Sequence, residues 1–267
     1  MKRFIIVAII SITGFHLSAQ DSTGKKSSKQ QRREERQQRI NALVRQQEEG
    51  ALVYNKQSIF GIQLRTNGYG IFYELGKAKT RRKANIYIAE FTEIKDSKEE
   101  KSTTDIFSFG NPYIYGKVNN FYQLKFGLGQ QYLFGQKGNK NGVAVAGVYQ
   151  VGFSLGMLRP YYLQVTDQNG TREIKYTPQD SADFLDQSKI QGGAGLGKGW
   201  GEIKFEPGLF AKAALRFDLA HYNETVTMIE VGLSVDAYAE KIPILLFDKQ
   251  QQFFIQGHVA FAFGKRK

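Results

Sequence analysis

Three histidines and no cysteine are this chain's whole stock of imidazole and thiol. That stock limits the chemistry open to it. A serine nucleophile needs an imidazole base within hydrogen-bond reach. His16 lies in an apolar leader, His221 in a short polar segment, and His258 midway along an alternating stretch. Ser154 is the nearest serine on an inward strand face, and nothing in the sequence brings it beside His258. A zinc site would lack thiolates and any histidine pair. The run Gly192-Gly193-Ala194-Gly195-Leu196-Gly197-Lys198-Gly199 has the glycines of a phosphate loop without its spacing or its Lys-Ser/Thr ending, so it reads as a flexible loop. No catalytic residue, metal ligand or cofactor is expected, and the chain is expected not to be an enzyme.

The other chemistry available is charge pairing. Eleven titratable residues fall on the strand face opposite the apolar one: Arg65, Glu74, Glu90, Lys125, Lys204, Glu206, Lys212, Arg216, Glu230, Asp236 and His258. Five cations against five carboxylates predict a mutually paired internal network rather than an ion filter of one sign.

Eight stretches with a period of two must carry these residues: 57–65, 69–77, 84–95, 121–134, 143–155, 203–217, 225–239 and 252–263. In the first two, Phe60, Ile62 and Leu64 face Leu75, Tyr73 and Ile71 across an Asn67-Gly68 hairpin turn. Typical soluble strands run about five or six residues. A tilted membrane strand needs roughly 9–11, which most of these reach. The fold class expected is all-β: an eight-stranded antiparallel up-and-down transmembrane β-barrel over 57–264. A lipocalin-like barrel or a β-sandwich would satisfy the same alternation with the opposite sidedness, apolar faces inward. Length, a leader segment and aromatic residues flanking the apolar bands (Tyr69, Tyr73, Tyr122, Tyr132, Phe134, Phe261, Phe263) favour the membrane. Loop lengths agree. The connections 66–68, 96–120, 156–202 and 240–251 fall at one end, and the short ones 78–83, 135–142 and 218–224 at the other, together with both ends of the strand region. An eight-stranded barrel is only wide enough for side chains to fill it, so a plugged lumen is expected, with a narrow solute channel as the alternative.

Residues 1–19 have the layout of a signal peptide: Lys2 and Arg3, an apolar stretch to Leu17, then Ser18-Ala19. Residues 20–56 form a basic arm whose core, 25–49, is rich in helix formers, with Arg32, Arg33, Arg36 and Arg39 as candidates for contact with an anionic surface or partner. The same composition suits a solvated leader. The net charge of +12 rests on 37 Lys and Arg against 25 Asp and Glu. Much of the excess lies at the chain ends, in the arm and in the basic tail 265–267. The arm has no aromatic residue for stacking bases, so nucleic acid is not an expected partner. Outer-membrane lipid, and envelope proteins reached through the arm or the long loops, are. In the longest loop, Arg159, Tyr161, Tyr162 and Trp200 are of the types that dominate interfaces, and equally of those that form an aromatic girdle.

The glycine- and aromatic-rich strands and the terminal strand QFFIQGHVAFAFG resemble small outer-membrane β-barrel proteins of Bacteroidota, broadly OmpA-like or PorT-like. No peptidoglycan-binding domain of the OmpA kind follows the barrel, and the chain continues past Phe263 where that signal ends on an aromatic. The resemblance implies the outer membrane of a Gram-negative bacterium and a structural or accessory role in the envelope, such as in secretion or barrel assembly.

Overall fold

The computed structural model describes residues 28–48, 54–103, 111–138, 141–168, 170–222 and 224–267. The signal-peptide reading of 1–19 lies outside the described residues. Helix α1 (Ser28–Glu48) exposes Arg32, Arg33, Arg36 and Arg39. Its residues are mostly straight-chain helix formers.

The strands follow as β1 (Lys56–Arg65), β2 (Gly68–Ala78), β3 (Lys83–Ile94), β4 (Lys101–Ser102), β5 (Tyr113–Ile114), β6 (Asn119–Gly135), β7 (Ala144–Pro160), β8 (Tyr162–Asp167), β9 (Gly170–Lys175), β10 (Ile190–Gly193), β11 (Lys204–Asp218), β12 (Thr225–Ile242) and β13 (Gln251–Arg266). A short helix α2 (Ser181–Leu185) lies between β9 and β10. Eight strands close a barrel in the order β1-β13-β12-β11-β7-β6-β3-β2. Every neighbouring pair is antiparallel, and β1 closes on β13.

Sidedness follows the alternation, with the apolar residues outward. Phe60, Ile62 and Leu64 of β1, Phe126 and Leu128 of β6, Val151 and Phe153 of β7, and Phe261 and Phe263 of β13 are all exposed, Phe153 to 74%. The charged faces point inward and are buried. This is the inverse of a lipocalin-like barrel. At the end bearing the longer connections, an apolar cluster that includes Phe121, Leu158, Tyr238, Ile244 and Phe254 fills the mouth.

The first hairpin differs from the register expected. Ile62 faces Ile71, Phe60 faces Tyr73, and Arg65 faces Gly68 across a two-residue loop of Thr66 and Asn67. The pairing is tighter by two residues, and a slip of two leaves every side chain on its expected face. Gly68 is thus a ladder residue rather than a turn residue. A side chain there would collide with the Glu93 carbonyl of β3.

Two further corrections concern segments read as loop or tail. Within 156–202, β8, β9 and β10 form a three-stranded sheet, packed with α2 around Leu163, Val165, Ile174, Phe184 and Ile190. The glycine run is part of it: Gly192 and Gly193 belong to β10, and a Cβ on Gly192 would meet the Asn111 carbonyl at 2.4 Å. Likewise Lys265 and Arg266 are ladder residues of β13, not a tail, because β1 supplies Ser58 and Gln57 opposite them.

Candidate functional site

Inside the barrel, side chains from seven of the eight strands meet in one ion-pair chain. At its inner end, where β1 begins and β13 ends, the Arg216 guanidinium on β11 lies between two carboxylates. Its Nη1 donates to Glu74 Oε1 at 2.7 Å and its Nε to Glu230 Oε2 at 2.5 Å. Glu230 also pairs with Lys212, whose Nζ lies 2.8 Å from Oε1, and lies 3.1 Å from His258 Nε2. Lys212 reaches on to Glu90 at 3.8 Å. Glu90 pairs with Arg65 and lies 3.7 Å from Lys125 Nζ, which bonds Asp236 Oδ1 at 2.5 Å. Four cations (Arg65, Lys125, Lys212, Arg216) therefore meet four carboxylates (Glu74, Glu90, Glu230, Asp236), all buried. A buried charge is tolerable only when it is paired, and each of these has an opposite charge within ion-pair distance.

Two of the residues expected here are not part of it. Lys204 is exposed and Glu206 only half-buried. Both have the inward parity of Lys212, but they sit on the outer part of β11 where only β7 pairs with it, opposite Leu158 and Gly156; the ladder to β12 begins at Gly208. They stand above the rim.

Amides complete the network. Gln256 donates to Asp236 at 2.6 Å and accepts from Arg65 Nη1 at 2.5 Å. Gln150 donates to Glu74 at 3.3 Å, and Gln131 accepts from Arg216 at 3.3 Å. These residues, and the buried pair Asp218–Arg266 with Lys137 Nζ 3.1 Å from Asp218, were missed because only ionised residues within the expected strand limits were counted. Parity alone would have found Gln256, Gln150 and Asp218.

The serine and imidazole stay apart. Ser154 shares a 2.7 Å hydrogen bond with Tyr238, while His258 faces Glu230. His221 is exposed in the turn after β11. Among the described residues, no group of three His, Asp or Glu side chains is placed to hold a metal.

At the opposite rim the loop candidates divide. Arg159, at the end of β7, is buried between aromatic rings, 4.8 Å from the Trp200 centroid and 5.6 Å from that of Tyr122. Trp200 stacks on Tyr122 at 5.7 Å, and Tyr122 on Phe91 at 5.9 Å. Both Arg159 Nη1 and Trp200 Nε1 donate to the Leu196 carbonyl at 2.7 Å. These contacts latch the segment carrying the glycines onto the outward face of β6 and β7. Tyr161 packs inward instead, its hydroxyl accepting from the Ile114 amide at 3.2 Å, and burial pushes its phenol pKa up. Tyr162 donates to Glu202 at 2.9 Å. Cations of this cap find carboxylates within it: Lys98 with Asp248, Lys117 with Glu99, Lys189 with Asp183, Lys198 with Glu173. The Lys189 hydrogen bond, with Arg172 beside it, holds the Asp183 carboxyl below its usual range. Its pairing is therefore present at neutral pH and lost as pH falls through that depressed value; such exposed pairs contribute little to stability.

Trp200 is the sole tryptophan, so its emission reports on the latch. Arg159→Ala removes a stacked cation contributing roughly 0.5–2 kcal/mol. We expect a red-shifted Trp200 emission and faster proteolysis within 194–202, with the barrel intact. An unchanged emission maximum would mean that the ring is held without the arginine.

No family model and no curated protein matches this sequence. Among solved structures it is similar to the attachment invasion locus protein Ail of Yersinia pestis, at TM-score 0.38 and 9% identity over 80% of this chain and 100% of that one. It is similar to Neisserial surface protein A, at 0.37 and 8% over 79% and 96%. It is also similar to the N-terminal β-barrel domain of Pseudomonas aeruginosa OprF, at 0.31 and 10% over 79% and 98%. Likeness this distant carries nothing about role.

Proposed function

We propose that this chain is a non-enzymatic outer-membrane β-barrel of a Gram-negative envelope, closed to solutes, acting as a structural or accessory component of a secretion or barrel-assembly machine. One observation carries the reading: the burial pattern is inverted. Large apolar side chains are exposed on all eight barrel strands, while eight mutually paired charges fill the inside. Soluble monomers rarely expose contiguous apolar patches beyond a few hundred Å². A belt around a whole barrel is therefore a surface for lipid. The aromatic residues Tyr73, Tyr132, Phe134 and Phe263 near the end bearing the short turns match an interfacial girdle.

The closed lumen supports an accessory role over transport, because opening a path would require breaking a continuous chain of ion pairs. The exposed arginines of α1 are then the means of docking on an anionic partner.

Heat-modifiable gel migration of the purified protein tests the barrel; solubility in plain buffer with no such shift would sink it. In planar bilayers the folded protein should give no large, stable channel. Pull-down in detergent should recover envelope proteins that are lost when residues 25–49 are deleted. Solute-uptake defects with no partner would favour a channel instead.

A further inference from the structure

At the inner rim Lys137 and Arg266 are paired with Asp218, but a contiguous row of other cations is not neutralised within the described residues. On the cap, Lys98, Lys117, Lys189 and Lys198 lie within ion-pair distance of carboxylates, while Lys101, Lys204 and Lys249 stand singly on different segments. On the rim along β13, β1, β2 and β3, Lys265, Lys56, Lys77 and Lys83 have no carboxylate partner among the described residues. The same holds for Lys79, Arg81 and Arg82 in the turn between β2 and β3.

The strand ladder makes these charges contiguous. Lys265 faces Ser58, beside Lys56 on β1. Lys56 stands directly opposite Lys77. Lys77 faces Asn85, one inward step from Lys83. The turn that follows is tightly held: Lys79 N donates to the Lys83 carbonyl at 2.8 Å, and Lys83 N to Thr80 Oγ1 at 3.1 Å. Like charges directly opposite on neighbouring strands repel, so an arrangement that lines them up without a carboxylate calls for a counter-charge from outside the chain.

Their direction says where that charge lies. Lys56, Lys77, Lys83 and Lys265 have outward parity, in line with Phe60, Leu75, Tyr87 and Phe263 of the apolar belt. Two or four residues along a strand is about 7–13 Å, so the ammonium groups sit just beyond the acyl-chain zone, at headgroup depth. Lys83 Nζ lies 5.8 Å over the Tyr132 ring, which belongs to the inner girdle. Ammonium groups at that depth meet the phosphates of the headgroup layer.

We infer that this one-sided rim seats the phosphate of an anionic glycerophospholipid in the leaflet at the end of the short turns. The inference rests on the membrane reading above. A polyanion of the cell wall would meet the turn end-on and leave the sideways lysines beneath the belt without a partner.

The test uses the full chain, purified in neutral detergent and first shown to migrate heat-modifiably. It is mixed with equal phosphatidylglycerol and phosphatidylethanolamine, and retained lipids are counted by native mass spectrometry. The wild type should retain phosphatidylglycerol over phosphatidylethanolamine by about tenfold. Lys56→Gln/Lys77→Gln/Lys83→Gln/Lys265→Gln should abolish the preference, and Arg81→Gln/Arg82→Gln, which leaves the strands untouched, should weaken it. Lys175→Gln/Lys198→Gln on the cap should leave it unchanged. A folded wild type with no preference would overturn the inference, as would a preference surviving both rim variants. So would equal retention of inorganic phosphate in place of lipid. Absence of heat-modifiable migration would instead strike the membrane reading on which it rests.

Discussion

Arg216→Met is expected to lower the unfolding free energy of the barrel by about 3–5 kcal/mol, the range for removing one partner of a buried charge group. The guanidinium donates to two carboxylates, Glu74 and Glu230, and it is fully buried. Methionine fills much of the same space, so the loss is electrostatic more than a cavity effect. It leaves Glu74 with the Gln150 amide, at 3.3 Å, in place of its cationic partner, and removes one of the two cations on Glu230. Urea unfolding of the full chain in detergent, followed by the heat-modifiable shift, measures it. The triple variant Arg216→Met/Glu74→Gln/Glu230→Gln should regain part of the loss, because removing a whole buried ionic group costs far less than orphaning one member. A single-variant loss below about 1 kcal/mol, typical of ordinary substitutions, would mean that the network is not what holds the barrel interior together.

The arrangement behind that expectation was mostly legible in the sequence, for a geometric reason. A strand side chain has two directions available, so Arg65, Glu74, Glu90, Lys125, Lys212, Arg216, Glu230, Asp236 and His258 share a side once the apolar residues are assigned to the other. Parity says which face a residue takes, but not how far along the barrel its neighbours extend. Lys204 and Glu206 were therefore grouped with the network although β12 does not reach them. Arg266 was grouped with a tail although β1 reaches it. The first hairpin shows the same limit: its faces followed from alternation, while the register depended on Gly68 fitting against the Glu93 carbonyl, a contact between β2 and β3. The sheet of β8, β9 and β10 was hidden for another reason. Its strands are four to six residues long, too short for a period to stand out, and its Gly192 and Gly193 are there for close backbone approach rather than for a turn.

Val151→Arg gives the strongest separation between a belt that meets lipid and one that meets water. Val151 lies midway along β7, opposite Leu128 of β6, and both side chains are more than half exposed. Arginine there touches nothing in the network and leaves the ladder intact. In water, such an exposed substitution changes stability by no more than about 0.5 kcal/mol. At the midplane of a bilayer the cost is about 2–4 kcal/mol, because the guanidinium must be dragged from hydrocarbon toward a headgroup. The matched control is Gln136→Arg, on the exposed turn after β6, where the same charge meets water in either case and should cost almost nothing. Reversible unfolding from lipid vesicles, read by the heat-modifiable shift, compares the two. A difference of about 2 kcal/mol or more between them makes the exposed apolar face a lipid surface. Equal, small costs at both positions would leave Phe153 and its neighbours facing water, and the rim lysines would then lie far from any headgroup.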